Sequence, residues 1–398
     1  EITSSMCGSS QRLIITEDGA TCAGVYTQNL VVAAPVTLSR AHLARSSQVS
    51  GVVVNSGNAN ACTGKQGDHD AQHTCQLVAS SLSSLSHREI EPHEIQVAST
   101  GVIGAPLPVN CLEGSLEALM TSCDPSGLRR FATAIMTTDN RPKTRAAILD
   151  LSGVEGAEGV SKIRFGGCSK GAGMIHPNMA TMLAYLCTDA PVDQSTLSDV
   201  WRRVCDQSFN AITIDGDTST NDTALCLASG RAARIHDQSG FLYGAALRLF
   251  EAALLTLAQA LAVDILRDGE GVEHVAALTI TGARTQQEAR QIAETVALSP
   301  LVKTAMNGCD PNWGRIVAAV GRSKVEVDPN SISLAIGGHQ IFERGVWLGV
   351  EGERRAHEVM KGAEYDIEVD LGLGEVSFTL FMSDLSAQYV RINADYRS

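Results

Sequence analysis

Aromatic residues make up only 4% of the 398 residues, and basic side chains are outnumbered 31 to 44 by acidic ones, giving a formal charge of −13. A field that would attract a phosphate backbone is missing and no basic stretch interleaves with aromatics, so nucleic acid is not an expected partner. No apolar run approaches the roughly 20 residues needed to cross a bilayer. The longest apolar region, 241–266, is interrupted by Arg248, Glu251, Gln259 and Asp264, so it predicts a buried amphipathic helix and no membrane partner. None of the 11 cysteines forms a CxxC pair. Neither a disulfide framework nor a metal site is expected from them; small, mostly buried thiols in a reduced compartment, the cytoplasm, account for the pattern. Residues 1–5 carry neither a basic n-region nor an apolar h-region. The chain begins at Glu1 rather than Met, however, so an organelle stays open should a targeting segment have preceded it. The GxxxxGK[ST] and strand-linked GxGxxG fingerprints are also missing, which leaves a phosphate loop unsupported.

What is present reads as an α/β mixture large enough for two or three domains. Strands are expected at 12–16, 24–36, 51–55, 96–98 and 146–151, with helices at 72–82, 108–119 and 125–136. Proline opens the last two, where its missing N–H has no partner to lose. Residues 182–187 form a continuous apolar run, as in a strand buried on both faces. The second half predicts helices at 197–208, 241–266 and 286–298 and strands at 276–281, 331–336, 365–369 and 375–381, the last two paired as a hairpin through Gly372 and Gly374.

Chemistry concentrates between residues 165 and 182. Gly166, Gly167, Gly171 and Gly173 crowd in front of Ile175-His176-Pro177-Asn178-Met179-Ala180-Thr181, a composition that suits a strained, exposed turn. A threonine inside a chain is a weak nucleophile because no base adjoins its hydroxyl. As a new N-terminus its own α-amine, of reference pKa about 7.7–8.0, can accept the hydroxyl proton. Thr100-Gly101 follows a predicted strand, where a hydroxyl and a backbone N–H can face a developing oxyanion; one such donor is worth about 3 to 4 kcal/mol. Asp215, Asp217 and Asp222 lack EF-hand spacing and read as hydrogen-bonding turn residues, not as a cation site.

The run Gly171-Ala172-Gly173-Met174-Ile175-His176-Pro177-Asn178-Met179-Ala180-Thr181-Met182-Leu183 resembles the self-cleavage motif of the ornithine acetyltransferase (glutamate N-acetyltransferase, ArgJ) family. Residues 55–60, 99–104, 136–139, 215–222, 268–271, 307–315 and 389–393 resemble the family in the same order, over essentially the whole chain. The resemblance implies an α/β fold of the DmpA/ornithine acetyltransferase type, similar to N-terminal-nucleophile hydrolases. It implies a cut between Ala180 and Thr181, giving an α chain (1–180, with the oxyanion hole) and a β chain (181–398, with a smaller α/β domain from about 275), assembled as α2β2. It implies ping-pong transfer of acetyl from N2-acetyl-L-ornithine to L-glutamate through Thr181, with Thr100 and Gly101 holding the oxyanion and Thr137 (or its neighbour Thr138), Lys170, Thr181, Glu270, Asn393 and Ser398 contacting these small amino-acid substrates. No metal or cofactor is implied, and acetyl-CoA is a second donor in some members. Charge suits Lys170 to an α-carboxylate and Glu270 to the cationic amine of ornithine. Ser398 departs from the terminal threonine of many members; the hydroxyl is kept and the methyl lost. The nearest rival on the same type of fold is an aminopeptidase or amidase that gives its acyl group to water.

Overall fold

The computed structural model describes residues 10–86, 88–176, 182–234 and 240–395. Strands β1 (Ser10–Tyr26), β2 (Gln48–Asn58), β3 (Ile95–Val102), β4 (Lys143–Asp150), β5 (Lys162–Lys170), β6 (Leu183–Thr188), β7 (Ile212–Thr213) and β8 (Thr223–Ala228) belong to the first part of the chain. Strands β9 (Val275–Ala283), β10 (Ser333–Ile336), β11 (His339–Glu343), β12 (Val346–Trp347), β13 (Glu364–Asp370) and β14 (Val376–Ser383) follow. They form two seven-stranded sheets, ordered β3-β2-β1-β8-β6-β5-β4 and β12-β11-β10-β13-β9-β14-β7. Both sheets mix parallel and antiparallel neighbours, and helices pack on them, so the chain is α/β as the composition predicts.

The apolar run at 182–187 behaves as expected. In β6, Ala184 and Leu186 enter the core that includes Trp201 and Phe250, and Leu183 and Tyr185 enter the one on the opposite face with Phe131 and Ile135. Successive side chains on a strand point to opposite faces, so only an unbroken apolar run can satisfy both cores. The helix Gly244–Arg267 is long and apolar enough to span a bilayer by length and composition, yet 56% of its apolar window is buried, including Phe250, Leu254, Leu261 and Ile265. The second sheet is covered by helices such as Gln286–Ala297. There Thr285 caps the first turn by accepting the Glu288 N–H, and Ala289, Ile292, Ala293 and Val296 line the buried face at helical spacing.

Four expectations are corrected. The strand predicted at 24–36 ends at Tyr26, and a helix, Ala34–Arg45, opens with Pro35 in its first turn; Leu30 is 98% exposed, so the apolar pattern there was not a buried face. The hairpin predicted from β13 and β14 does not form, because β9 inserts between them, parallel to β13 and antiparallel to β14. Gly166 and Gly167 lie in strand β5, not in a turn. A Cβ at 167 would fall 2.9 Å from the Leu186 side chain, so glycine there serves close strand packing. Most described cysteines are free thiols, but Cys111 is disulfide-bonded.

Candidate functional site

Lys170, the last residue of β5, is 2% exposed, and its ammonium donates to Thr100 Oγ1 at 2.9 Å and to Thr137 Oγ1 at 3.0 Å. Thr100 comes from β3, and Thr137 from the turn after the helix Leu128–Ala134. A hydroxyl that accepts from an ammonium keeps its own proton for another acceptor and is polarised toward giving it. Two such hydroxyls on one cation are suited to hold a developing negative oxygen. Burial lowers the pKa of Lys170, and Asp139 works against that shift.

Gly101 follows Thr100 at φ +131°, and a Cβ there would stand 2.2 Å from the Gly57 carbonyl carbon and 2.5 Å from Asn58 N. The backbone of β2 approaches so closely that no side chain fits. Asn221 Nδ2 ties the same region together by donating to the carbonyls of Ala59 at 2.6 Å and Ser99 at 2.9 Å.

Beside these lies a buried ionic triad. Lys143 Nζ stands 2.6 Å from Asp139 Oδ1 and 2.6 Å from Asp268 Oδ2, with all three side chains at most 4% exposed. Asp139 also accepts the N–H of Gly171 at 2.7 Å and, through its other oxygen, that of Thr137 at 3.1 Å. Burial opposes the charge on Asp139, but Lys170, Lys143 and the Gly171 N–H prevail and hold its pKa below the usual carboxylate value. The carboxylate thereby fixes the backbone on which Thr137 and Lys170 are mounted. Sequence reasoning assigned Asp139 and Asp268 no role and passed over Lys143. The last gives no sequence signal, since its second partner lies 125 residues away.

Glu270 is buried, and its N–H donates to the Ala172 carbonyl at 2.8 Å. A Cβ on Gly173 would lie 2.5 Å from Glu270 Oε2, so glycine at 173 makes room for this carboxylate. Its partner is a neutral amide, Asn393 Nδ2 at 2.9 Å, from the helix Ala387–Asp395. That helix is moored by Ser386 Oγ to the Gly271 carbonyl at 2.6 Å and by Tyr389 Oη to Asp215 Oδ2 at 3.0 Å. Thr100, Thr137 and Lys170 are thus in direct contact and Gly101 adjoins them. Glu270 is joined to Asn393 and acts on the charge of Lys170. Ala180, Thr181 and Ser398 lie outside the described residues.

In the Asp215–Asp222 run, the carboxylates of Asp215 and Asp222 bind backbone N–H groups. Asp215 accepts the N–H groups of Met174 and Ile175, and the fully buried Asp222 accepts that of Met182 at 3.0 Å. Burial drives the Asp222 pKa well above the carboxylate range, with the Met182 N–H and Lys170 opposing the shift in part.

The sequence model of the ArgJ family matches residues 8–398. The arginine biosynthesis bifunctional protein ArgJ of Geobacter sulfurreducens is 45% identical over 387 residues, covering 97% of this chain and 94% of that protein. Its counterpart in Symbiobacterium thermophilum is 43% identical over 376 residues, 94% of this chain and 89% of that one. Among solved structures, arginine biosynthesis bifunctional protein argJ from Bacillus halodurans matches at 36% identity with a TM-score of 0.50, over 54% of this chain and 98% of that chain. With a match that runs from the first strand through the helix bearing Asn393, the chain belongs to the ArgJ family of arginine-biosynthesis enzymes.

Proposed function

We propose that the chain is an acetyltransferase that cuts itself between Ala180 and Thr181 and then moves acetyl from N2-acetyl-L-ornithine to L-glutamate. The observation that carries this reading is the Lys170 ammonium shared by the hydroxyls of Thr100 and Thr137, beside a glycine whose backbone admits no side chain. It supplies what an acyl-transfer site requires, polarised donors fixed before charge develops.

In the scission, the Thr181 hydroxyl oxygen attacks the Ala180 carbonyl, the C–N bond breaks, and the nitrogen takes the hydroxyl proton. Water then hydrolyses the resulting ester, leaving a carboxylate on Ala180 and an α-amine on Thr181. In the transfer, that amine accepts the hydroxyl proton as the oxygen attacks the acetyl carbonyl. Ornithine leaves with the proton; the glutamate amine then attacks the acetyl ester, the C–O bond to Thr181 breaks, and the amine proton returns to the Thr181 oxygen as N-acetyl-L-glutamate departs. No step calls for a cofactor. Glu270 suits the cationic amine of ornithine, with Asn393 and Ser398 completing the substrate contacts and Lys170 supplying positive charge.

The two-chain form is supported by length. The Bacillus halodurans chain is accounted for to 98% by 54% of this one, about the share that a chain starting at Thr181 would have. The reading extends to an α2β2 assembly in the cytoplasm, and the word bifunctional in the relatives' names supports acetyl-CoA as a second donor. Light scattering tests the assembly, and glutamate acetylation with acetyl-CoA as sole donor tests the second activity.

The deciding experiment incubates the purified protein with N-acetylornithine and glutamate. N-acetylglutamate should form faster than free acetate, and intact mass should show a chain beginning at Thr181. Faster acetate release would make the protein an amidase. Thr181→Ala should abolish both scission and transfer.

A further inference from the structure

Residues 213–223 contact both sides of the segment that holds the scission point. On the upstream side, Asp215 Oδ2 accepts the N–H of Met174 at 2.6 Å and Oδ1 that of Ile175 at 2.9 Å. The Ile175 carbonyl accepts from Ile214 N at 2.8 Å and from Thr213 Oγ1 at 3.1 Å. On the downstream side, Asp222 Oδ1 accepts the N–H of Met182 at 3.0 Å, and the Met182 carbonyl accepts from Thr223 N at 3.2 Å. Ile175 and Met182 therefore each have both backbone polar groups bound by one short stretch of chain.

We propose that residues 213–223 are a splint across the scission point, with Asp215 and Asp222 as its two grips, each a positioning residue for the cut. This rests on the scission reading above. The physical logic is one of freedom removed: a peptide bond is attacked by a neighbouring hydroxyl at a useful rate only when the two are held in register, and fixing both flanks supplies that restriction in advance. The upstream flank also needs holding. Met174 has φ +58°, a left-handed conformation that costs a non-glycine residue of order 1 kcal/mol, and Asp215 binds its N–H and the next. The downstream grip is buried: Asp222 is 1% exposed, and its Oδ2 has no hydrogen-bond partner among the described residues. The splint is also registered to the oxyanion strand, because Asn221 holds the Ser99 carbonyl next to Thr100. After the cut, both grips belong to the β chain, so Asp215 and Ile214 retain the end of the α chain.

The test follows scission of the full-length chain over time in cell-free translation, by gel and intact mass, with circular dichroism and thermal midpoint confirming the fold. Asp222→Ala should slow scission about tenfold or more, the cost expected for a lost hydrogen bond to a buried N–H. Asp222→Asn keeps an oxygen for the Met182 N–H and should cut within about threefold of the unmodified rate. Asp215→Ala should also slow the cut about tenfold, and Asp215→Asn, which keeps one of two acceptor oxygens, should fall between. Folded Asp222→Ala that cuts at the unmodified rate overturns the splint. So does folded Asp222→Asn that cuts as slowly as the alanine variant, since charge rather than grip would then matter. Should Asp222→Ala not fold, normal cutting by Asp222→Asn together with slow cutting by Asp215→Ala upholds the splint, and any other pairing overturns it. An unmodified chain that stays uncut yet active defeats the scission reading itself, an outcome separate from all of these.

Discussion

The Lys170 ammonium donates to the Thr100 hydroxyl at 2.9 Å, joining the end of β5 to the end of β3 across the first sheet. In the proposed mechanism, the Thr100 hydroxyl, accepting from Lys170, gives its own proton to a substrate oxygen. Thr100→Val keeps the shape and removes that donor. In the acetyl-transfer assay kcat should fall about 100- to 1000-fold with KM little changed, the signature of an interaction made mainly in the transition state.

In the proposed function, Glu270 bears on binding instead. Its hydrogen-bond partner is the neutral Asn393 amide, which a cationic substrate amine can replace at a gain. Glu270→Gln should raise KM for N-acetylornithine about tenfold or more, since hydrogen bonds to charged groups are worth about 1.5–3 kcal/mol, with a smaller effect on kcat. Steady-state kinetics with N-acetylornithine as the varied substrate would reveal this.

Lys143 bridges two buried carboxylates, each at 2.6 Å. Lys143→Met leaves Asp139 and Asp268 buried without it and should destabilise the protein by about 3–5 kcal/mol. The shift is measurable as a lower urea midpoint with an unchanged slope.

Gly101 admits no side chain. Its φ is +131°, and a Cβ would meet the Gly57 carbonyl carbon at 2.2 Å. Gly101→Ala must push β2 and β3 apart beside the proposed oxyanion hole and should cost about 3 kcal/mol or more, together with most of the activity. Gly104→Ala, where nothing lies within 4 Å of the added Cβ, is the control: it has only the strain of its positive φ to bear.

Asp222 sets a pH dependence. Its folded pKa is raised well above the ordinary value, first by burial. The sign follows from linkage: a carboxyl that holds its proton more tightly when folded is neutral in both states below its unfolded pKa of about 3.9, and stability is lost as pH rises from there toward the folded value. Asp222→Asn cannot ionise. Its thermal midpoint relative to the unmodified protein should therefore rise between about pH 4.5 and pH 8, as followed by circular dichroism; a constant difference would contradict the assignment.

How much of this was legible beforehand differs from residue to residue. The run at 182–187 could be read directly, because a two-face burial pattern is a local property that spacing records; Thr100 and Gly101, expected just after a strand, lie within β3. The helix Gln286–Ala297 was legible for the same reason, its apolar residues recurring at helical spacing. The helix Ala34–Arg45 was missed because Val31 and Val32 suggested a strand, whereas Val31 is exposed and Pro35 begins a new element.

The sequence by itself determined the family, the identity of the nucleophile candidate and the glycines at 101 and 173. Only the tertiary structure decided that Lys170 is buried against two threonines, that Lys143 joins Asp139 to Asp268, and that β9 separates β13 from β14. The division has a physical reason. Conformational preference and burial period act over a few residues and leave their mark in the order of the chain. Ion pairs and strand neighbours form between groups up to a hundred or more positions apart, so their existence depends on a packing that no short stretch contains.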